Sequence, residues 1–261
     1  MGELGVDSTS CPTSLGSSTN SPGSFDQISR WMKTCLENHP KCKVKRADRD
    51  FLPTRLLDVG PFSNNTGDLV PSHIKVVETA SAKIQGPYAT LSHCWGPTEK
   101  GFARLERANS QKFLTTGIDW KDLSRNRNFA HAVEMTRRLG LRYLWIDSLC
   151  IIQGPDSLND WHTEAPLMHR VYRNAHINIA ASHSRDRDGG IFFERDVADI
   201  VIPRFSPSRE ATFLSNANSW RIFYQDYWNE KLLKNWLYTR AWVFQGELWP
   251  AIIALLSNHV R

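Results

Sequence analysis

The sequence predicts an α/β fold with a mainly parallel sheet flanked by helices. Three consecutive features indicate this fold: an apolar run at 143–146, a helix-like segment at 156–174 and a second apolar run at 176–181. A strand, a crossover helix and another strand form the unit of a parallel sheet. Functional side chains in such sheets collect beyond the carboxyl ends of the strands. We therefore look first for a functional site between residues 144 and 181.

Composition excludes several classes of protein. Hydrophobic residues at 41% and charged residues at 23% are typical of a globular protein. The net charge of +5 comes from scattered cations, which disfavours a nucleic-acid partner. We expect no membrane span and no secretory signal, and the odd number of cysteines then favours a cytoplasmic protein. Cys35, His39 and Cys42 do not complete the ligand set of a structural zinc site, so no metal site is predicted.

The N-terminal part is predicted to hold a tail, a helix and a hairpin. Residues 1–24 are rich in Ser, Thr, Gly and Pro and bury too little apolar surface to offset their ordering entropy, so we expect disorder. Apolar residues at helical spacing then predict an amphipathic helix ending near Pro40. Short strands at 55–59 and 74–77 flank a turn-rich segment and are predicted to pair.

The remaining elements follow from periodicity and from glycine and proline positions. A strand at 88–93 is followed by a long polar loop with short helical turns at 97–125. Asn126 to Leu139 has an apolar helical face, and Gly140 ends it. Pro166 is expected to kink or split the helix at 156–174. The later predictions are an irregular aromatic-rich insertion at 195–230, a helix at 236–249 and a strand at 252–256.

Two of these strands end in polar residues. If the strands are parallel neighbours, those residues meet at one edge of the sheet. We also expect Asp160 or Asn159 to cap the next helix, which places further side chains of its first turn nearby. The candidate site residues are Ser92, His93, Cys94, Trp95, Asp147, Cys150, Asp160, Trp161 and Glu164.

One interpretation of this set is a thiol nucleophile. Cys150 or Cys94 would attack, with His93 as base and Asp147 orienting the base. A structural network is the simpler alternative. In that network Asp147 accepts backbone amides, and His93 is a buried histidine with satisfied hydrogen bonds.

A second chemical interpretation is cleavage of a glycosidic bond in a nucleotide. Glu164 would stabilise an oxocarbenium-like centre, while Trp95 and Trp161 would stack on a ring. The alternative is that Glu164 is a helix-start carboxylate stabilised by the helix dipole.

Longer motifs connect these residues to a known family. They are Y-A-T-L-S-H-C-W-G (88–96), L-R-Y-L-W-I-D-S-L-C-I-I-Q (141–153), D-W-H-T-E (160–164), M-H-R-V-Y-R-N-A (168–175) and T-R-A-W-V-F-Q (239–245). In order and spacing they resemble the fungal heterokaryon incompatibility (HET) domain. The resemblance covers residues 25–261, with core motifs at 88–181 and a C-terminal motif at 236–259.

The resemblance implies a fungal protein of nonself recognition that acts in programmed cell death, a form of innate immunity. HET domains look distantly similar to TIR domains, which have a flavodoxin-like sheet and in many cases cleave NAD with a glutamate. By that analogy Glu164 would be catalytic, Asp147 and His93 would orient substrate, and NAD would be a substrate rather than a cofactor. The analogy also places Arg240 near a phosphate, with Gln245 in the site.

The C-terminal motif departs from the family pattern. Gln245 is followed by Gly246, and Ile252 stands where an arginine is usual. The resemblance therefore leaves open a truncated, inactive protein. It also leaves open a noncatalytic module that self-associates and works with a separate sensor protein.

Overall fold

The structure is a computed structural model that describes residues 16–38, 51–61, 70–97, 103–195, 204–205, 220–221, 234–239 and 253–255. The α-helices of this part are α1 (Pro22–Asn38), α2 (Arg107–Thr115), α3 (Trp120–Leu123), α4 (Arg127–Arg138), α5 (Asp147–Cys150), α6 (Leu158–Glu164) and α7 (Met168–Asn174). Short 3-10 helices span Pro155–Ser157, Ala165–Leu167 and Trp236–Thr239. None of the helices in these ranges has the length and apolar character that a membrane span requires.

Most of the strands form one seven-stranded sheet in the order β4-β2-β1-β5-β3-β6-β9. The strands are β1 (Arg55–Asp58), β2 (His73–Glu78), β3 (Tyr88–Ser92), β4 (Ile118–Asp119), β5 (Tyr143–Ile146), β6 (Ile177–Ala180), β7 (Arg204–Phe205), β8 (Trp220–Arg221) and β9 (Ile253–Leu255). Strands β7 and β8 pair separately.

This sheet is mixed, which corrects the prediction of a mainly parallel one. The pairs β4–β2, β2–β1 and β1–β5 are antiparallel. The pairs β5–β3, β3–β6 and β6–β9 are parallel. The predicted hairpin of β1 and β2 is confirmed, but β1 then joins β5 directly and continues the sheet. An antiparallel extension of this kind is common in large mixed sheets.

The parallel half positions the site. Its order β5-β3-β6-β9 corresponds to the first four strands of the flavodoxin-like order 2-1-3-4-5. The chain passes from β3 through α4 outward to β5, and then through α6 and α7 back to β6 on the other side of β3. The strand order therefore reverses between β3 and β6. In such sheets the crevice beyond the carboxyl ends at this reversal is where ligands bind.

The hydrophobic core surrounds β3 and β6, whose residues are all buried. Helix α4 packs on the sheet through Phe129, Ala132 and Val133, which recur at helical spacing. Its N-terminus is capped by the Asn126 side chain, which accepts the Phe129 amide at 3.2 Å. Gly140 follows the helix with a positive φ of 75°, a conformation that glycine adopts without a steric penalty.

Pro166 splits the predicted helix at 156–174, as expected. Helix α6 ends at Glu164, a 3-10 turn contains the proline, and α7 continues from Met168. The predicted polar loop at 97–125 instead includes the nine-residue helix α2. The reason is local: Glu106 and Asn109 form a capping box that starts this helix.

The predicted disordered tail covers residues 1–24, yet residues 16–24 have defined contacts. The Thr19 amide donates to the Phe193 carbonyl at 2.9 Å, and the Phe193 amide donates back to the Thr19 hydroxyl at 2.9 Å. Helix α1 begins at Pro22, a favourable first helical residue. The contacts depend on a partner 174 residues away, so local composition does not reveal them.

Candidate functional site

The structure brings the predicted residues of β3 and β5 together. The two strands are parallel, with Leu91 opposite Ile146, so the residues that follow each strand meet at one edge. The indole nitrogen of Trp95 donates to both carboxylate oxygens of Asp147, at 3.0 and 3.2 Å. Asp147 also accepts the Ser148 amide at 2.7 Å. The carboxylate of Asp147 therefore holds Trp95 in place.

Cys150 lies in the interior of this group, with 1% of its surface exposed. The pKa of its thiol is raised to about 12, chiefly by burial, and the carboxylates of Asp147 and Glu164 contribute to this rise. A backbone hydrogen bond at Ile146 and the charge of Arg55 oppose this rise without cancelling it. The thiol is therefore protonated at neutral pH, which disfavours the thiol-nucleophile interpretation.

Glu164 occupies a different part of its helix from the one predicted. Helix α6 begins at Leu158, and no side chain caps it at Ser157. Glu164 is consequently the last residue of α6 rather than a member of its first turn, and it is only 5% exposed. A helix C-terminus carries partial negative charge, which disfavours a carboxylate. Dipole stabilisation therefore does not explain why a glutamate stands here.

Asp160 forms a largely buried ion pair, and its predicted contact with a substrate stays a prediction. It bonds with the guanidinium of Arg55, and it accepts the Ile152 amide at 2.8 Å. Arg55 also donates from Nε to the Cys150 carbonyl at 3.2 Å. These bonds fasten the segment after β5 to strand β1. The geometry gives Asp160 a structural position, one turn before Glu164 on the same helix.

Trp161 points outward from α6. Its side chain is 42% exposed, and its ring meets the edge of His162 at a centroid distance of 5.6 Å. Leu158, three residues earlier, is also exposed. The two side chains therefore form an apolar surface on the outer side of the helix.

The remaining residues at the end of β3 face the neighbouring strand and helix. Ser92 donates to the side-chain oxygen of Asn178 on β6 at 3.2 Å, and Thr90 donates to the same oxygen at 3.0 Å. His93 is buried and lies edge-on to Phe129, 5.2 Å between ring centroids. Cys94 is buried beside them. The burial of His93 agrees with the structural alternative, and the satisfied hydrogen bonds of that alternative stay a prediction.

A second group of polar residues lies at the same edge and escaped the sequence reasoning. The segment after β6 reaches the loop after β3 so closely that a Cβ on Gly96 would lie 2.5 Å from Cβ of Asp186. Beside this contact is a cavity of about 1070 Å³, lined among others by Arg127, His131 and Arg185. The available signal was that these residues follow β6 or begin α4, at the carboxyl edge already identified.

Several predicted residues lie outside the described part of the chain. They are Arg240, Gln245, Gly246 and Ile252 of the C-terminal motif, and His39 and Cys42 of the three potential zinc ligands. Within the described ranges, no group of three His, Cys, Asp or Glu side chains has the spacing of a metal site.

The family comparison covers the strands and helices that build this edge. A model of the family described as heterokaryon incompatibility protein (HET) matches residues 88–246, more than half of the chain. That range includes β3, β5, β6 and the helices between them. No match was found among curated proteins or among solved structures. The chain therefore belongs to the HET family, whose domain takes part in heterokaryon incompatibility.

Proposed function

We propose that this HET protein is an effector of fungal incompatibility that causes cell death by hydrolysing a nucleotide, with NAD as the candidate substrate. The Glu164 carboxylate carries the proposal. It is 5% exposed, and within the described ranges no hydrogen bond or ion pair engages it. A carboxylate that no described neighbour engages is available to a ligand, and binding sites depend on a few polar groups of this kind.

The proposed reaction breaks the bond between the ribose anomeric carbon and the nicotinamide nitrogen. The bonding electrons leave with nicotinamide, water adds to the anomeric carbon, and one proton is released. Glu164 stabilises the positive charge that develops on the sugar. Trp95 supplies a ring wall, and Asp147 acts as a positioning residue because it bonds to the Trp95 indole. A phosphate contact from Arg240 stays a prediction.

The experiment measures NAD and viability together after induction of the chain in a fungal host. Glu164→Gln is compared at matched protein level with Glu78→Gln, an exposed glutamate on the antiparallel side of the sheet. We expect NAD to fall before viability with the unchanged chain and with Glu78→Gln, and neither to fall with Glu164→Gln. Equal lethality of a folded Glu164→Gln protein would refute the assignment.

A noncatalytic, self-associating module that works with a sensor protein is the second candidate. The exposed pair Leu158 and Trp161, at 62% and 42%, favours it, because apolar surface of this kind commonly marks a contact site. This candidate predicts cell death with NAD intact. It also predicts that Leu158→Ser reduces both self-association, measured by light scattering, and lethality, whereas Glu164→Gln changes neither.

A further inference from the structure

The cavity beside β6 shares no lining residue with Trp95, Asp147, Cys150 and Glu164, here called the Glu164 group, and it is a candidate for a second binding site. It borders the segment that follows β6 and the first turns of α4, at the carboxyl edge of the parallel strands, and sheets of this type bind ligands beyond that edge. Its volume of about 1070 Å³ is at the upper end of the range for pockets that hold small molecules and cofactors. Its lining includes Arg127, His131, Arg185, Phe192, Phe193 and Trp236.

The lining holds three carboxylates, which include Glu194, and three Arg or Lys side chains, which include Lys234, and two of the carboxylates already have partners. Glu134 pairs with Arg138 at 3.3 Å, and Asp186 accepts the Asp188 amide at 2.9 Å. Arg127 and Arg185, by contrast, form no salt bridge with any residue in the described ranges. Two guanidinium groups with unused donors therefore border the cavity. Guanidinium matches phosphate oxygens with two parallel hydrogen bonds.

Aromatic rings accompany these cations. The guanidinium of Arg185 lies 4.3 Å from the ring centroid of Trp236, an attractive arrangement that holds the arginine at the cavity wall. Trp236 keeps 47% of its surface exposed, and Phe193 lines the cavity nearby. A planar ring bound here would find aromatic faces to stack on.

His131 contributes a neutral donor. Its Nδ1 accepts the amides of Ile191 and Phe192 at 2.9 and 3.2 Å, so the proton resides on Nε2. The ring also stacks on Phe192 at a centroid distance of 4.6 Å. Burial, assisted by the charge of Arg127, lowers the pKa of His131 to about 4. At neutral pH it therefore offers one hydrogen-bond donor and no charge.

We propose that this cavity binds a nucleotide, with its phosphates on Arg127 and Arg185 and its base against Trp236. The combination of paired guanidinium groups and an exposed indole matches a ligand that is both phosphorylated and aromatic. An anion alone would leave the aromatic wall uncovered, and an uncharged ring would leave both arginines without an anionic partner. The site does not depend on chemistry at Glu164.

Calorimetric titration of the purified full chain tests the proposal with ADP, adenosine and pyrophosphate as separate probes. ADP should bind more tightly than either fragment. Arg127→Ala and Arg185→Ala should each weaken ADP binding about tenfold or more, because each removes charge-assisted hydrogen bonds. Trp236→Ala, which keeps both charges, should weaken ADP binding more than pyrophosphate binding, because only ADP loses a stacking surface in addition to the ring that holds Arg185.

Arg125→Ala is the matched control, since Arg125 lies two residues before Arg127 but pairs with Asp122 away from this cavity. It should bind ADP like the unchanged chain, and thermal melting should show that each variant is folded. Three results would overturn the proposal: no ADP binding at millimolar concentration, pyrophosphate binding as tight as ADP binding, or ADP binding unaffected by both arginine variants. Loss of ADP binding in Glu164→Gln alone would place the nucleotide at the Glu164 group instead.

Discussion

Replacing Asp160 with alanine should lower the free energy of unfolding by about 4 kcal/mol, because the change breaks a buried ion pair. The side chains of Arg55 and Asp160 are 7% and 17% exposed, so removal of the carboxylate leaves the arginine charge largely out of water. Breaking such a pair typically costs about 3–5 kcal/mol. The Ile152 amide also loses its acceptor, which accounts for about 1 kcal/mol of the expected loss.

Urea and thermal unfolding followed by circular dichroism measure this effect. For a domain of this size, about 4 kcal/mol corresponds to a fall in melting temperature of roughly 8–16 °C. Asp160→Asn keeps an oxygen for the Ile152 amide, so it should be less destabilising than alanine by about 1 kcal/mol. Asp122→Ala is the control, because its partner Arg125 is 74% exposed and surface pairs contribute about 0–1 kcal/mol.

A loss below about 1 kcal/mol for Asp160→Ala would refute the reasoning, since it would mean that water solvates the pair. Unchanged stability together with lost activity would return Asp160 to its predicted place among the substrate-binding residues.

The other predictions test single contacts. Burial lowers the pKa of His131 from 6.5 to about 4. Between these pH values the unfolded chain therefore binds more protons than the folded one. The contribution of neutral His131 to stability is complete above about pH 6.5 and declines as the pH falls toward 4. Urea midpoints from about pH 7 to about pH 4.5 should fall more for the unchanged chain than for His131→Gln, and parallel curves would contradict this. Iodoacetamide should modify the half-buried Cys35 of the folded protein faster than Cys150, as read by mass spectrometry; equal rates would show that Cys150 is accessible. Gly96→Ala should lower the free energy of unfolding by about 1–3 kcal/mol more than Gly140→Ala. Both glycines have φ near 70°, but of the two only Gly96 would bring its new Cβ against Asp186. Equal losses would show that the loop of Asp186 moves to make room.

Local signals in the sequence predicted several elements because their causes lie within a few residues. The Asn126 cap and Gly140 delimit α4, and Pro166 divides the helices before β6. Pairing across the sheet has no such local cause. The antiparallel contact between β1 and β5 joins residues that are far apart in the chain, and an apolar strand carries the same pattern whichever neighbour it pairs with.

The candidate site also has features that the sequence predicted and features that depend on tertiary contacts. The sequence by itself determined which side chains end β3 and β5, because apolar runs stop where polar residues begin, and it determined the family through long motifs. Only the tertiary structure decided what those side chains do. Asp160 pairs with Arg55, and burial keeps the Cys150 thiol protonated. Glu164 is buried, and no hydrogen bond or ion pair with another described residue engages its carboxylate. The charge and reactivity of a side chain depend on its burial and on its distance to partners that folding brings together, and the sequence alone does not contain this information.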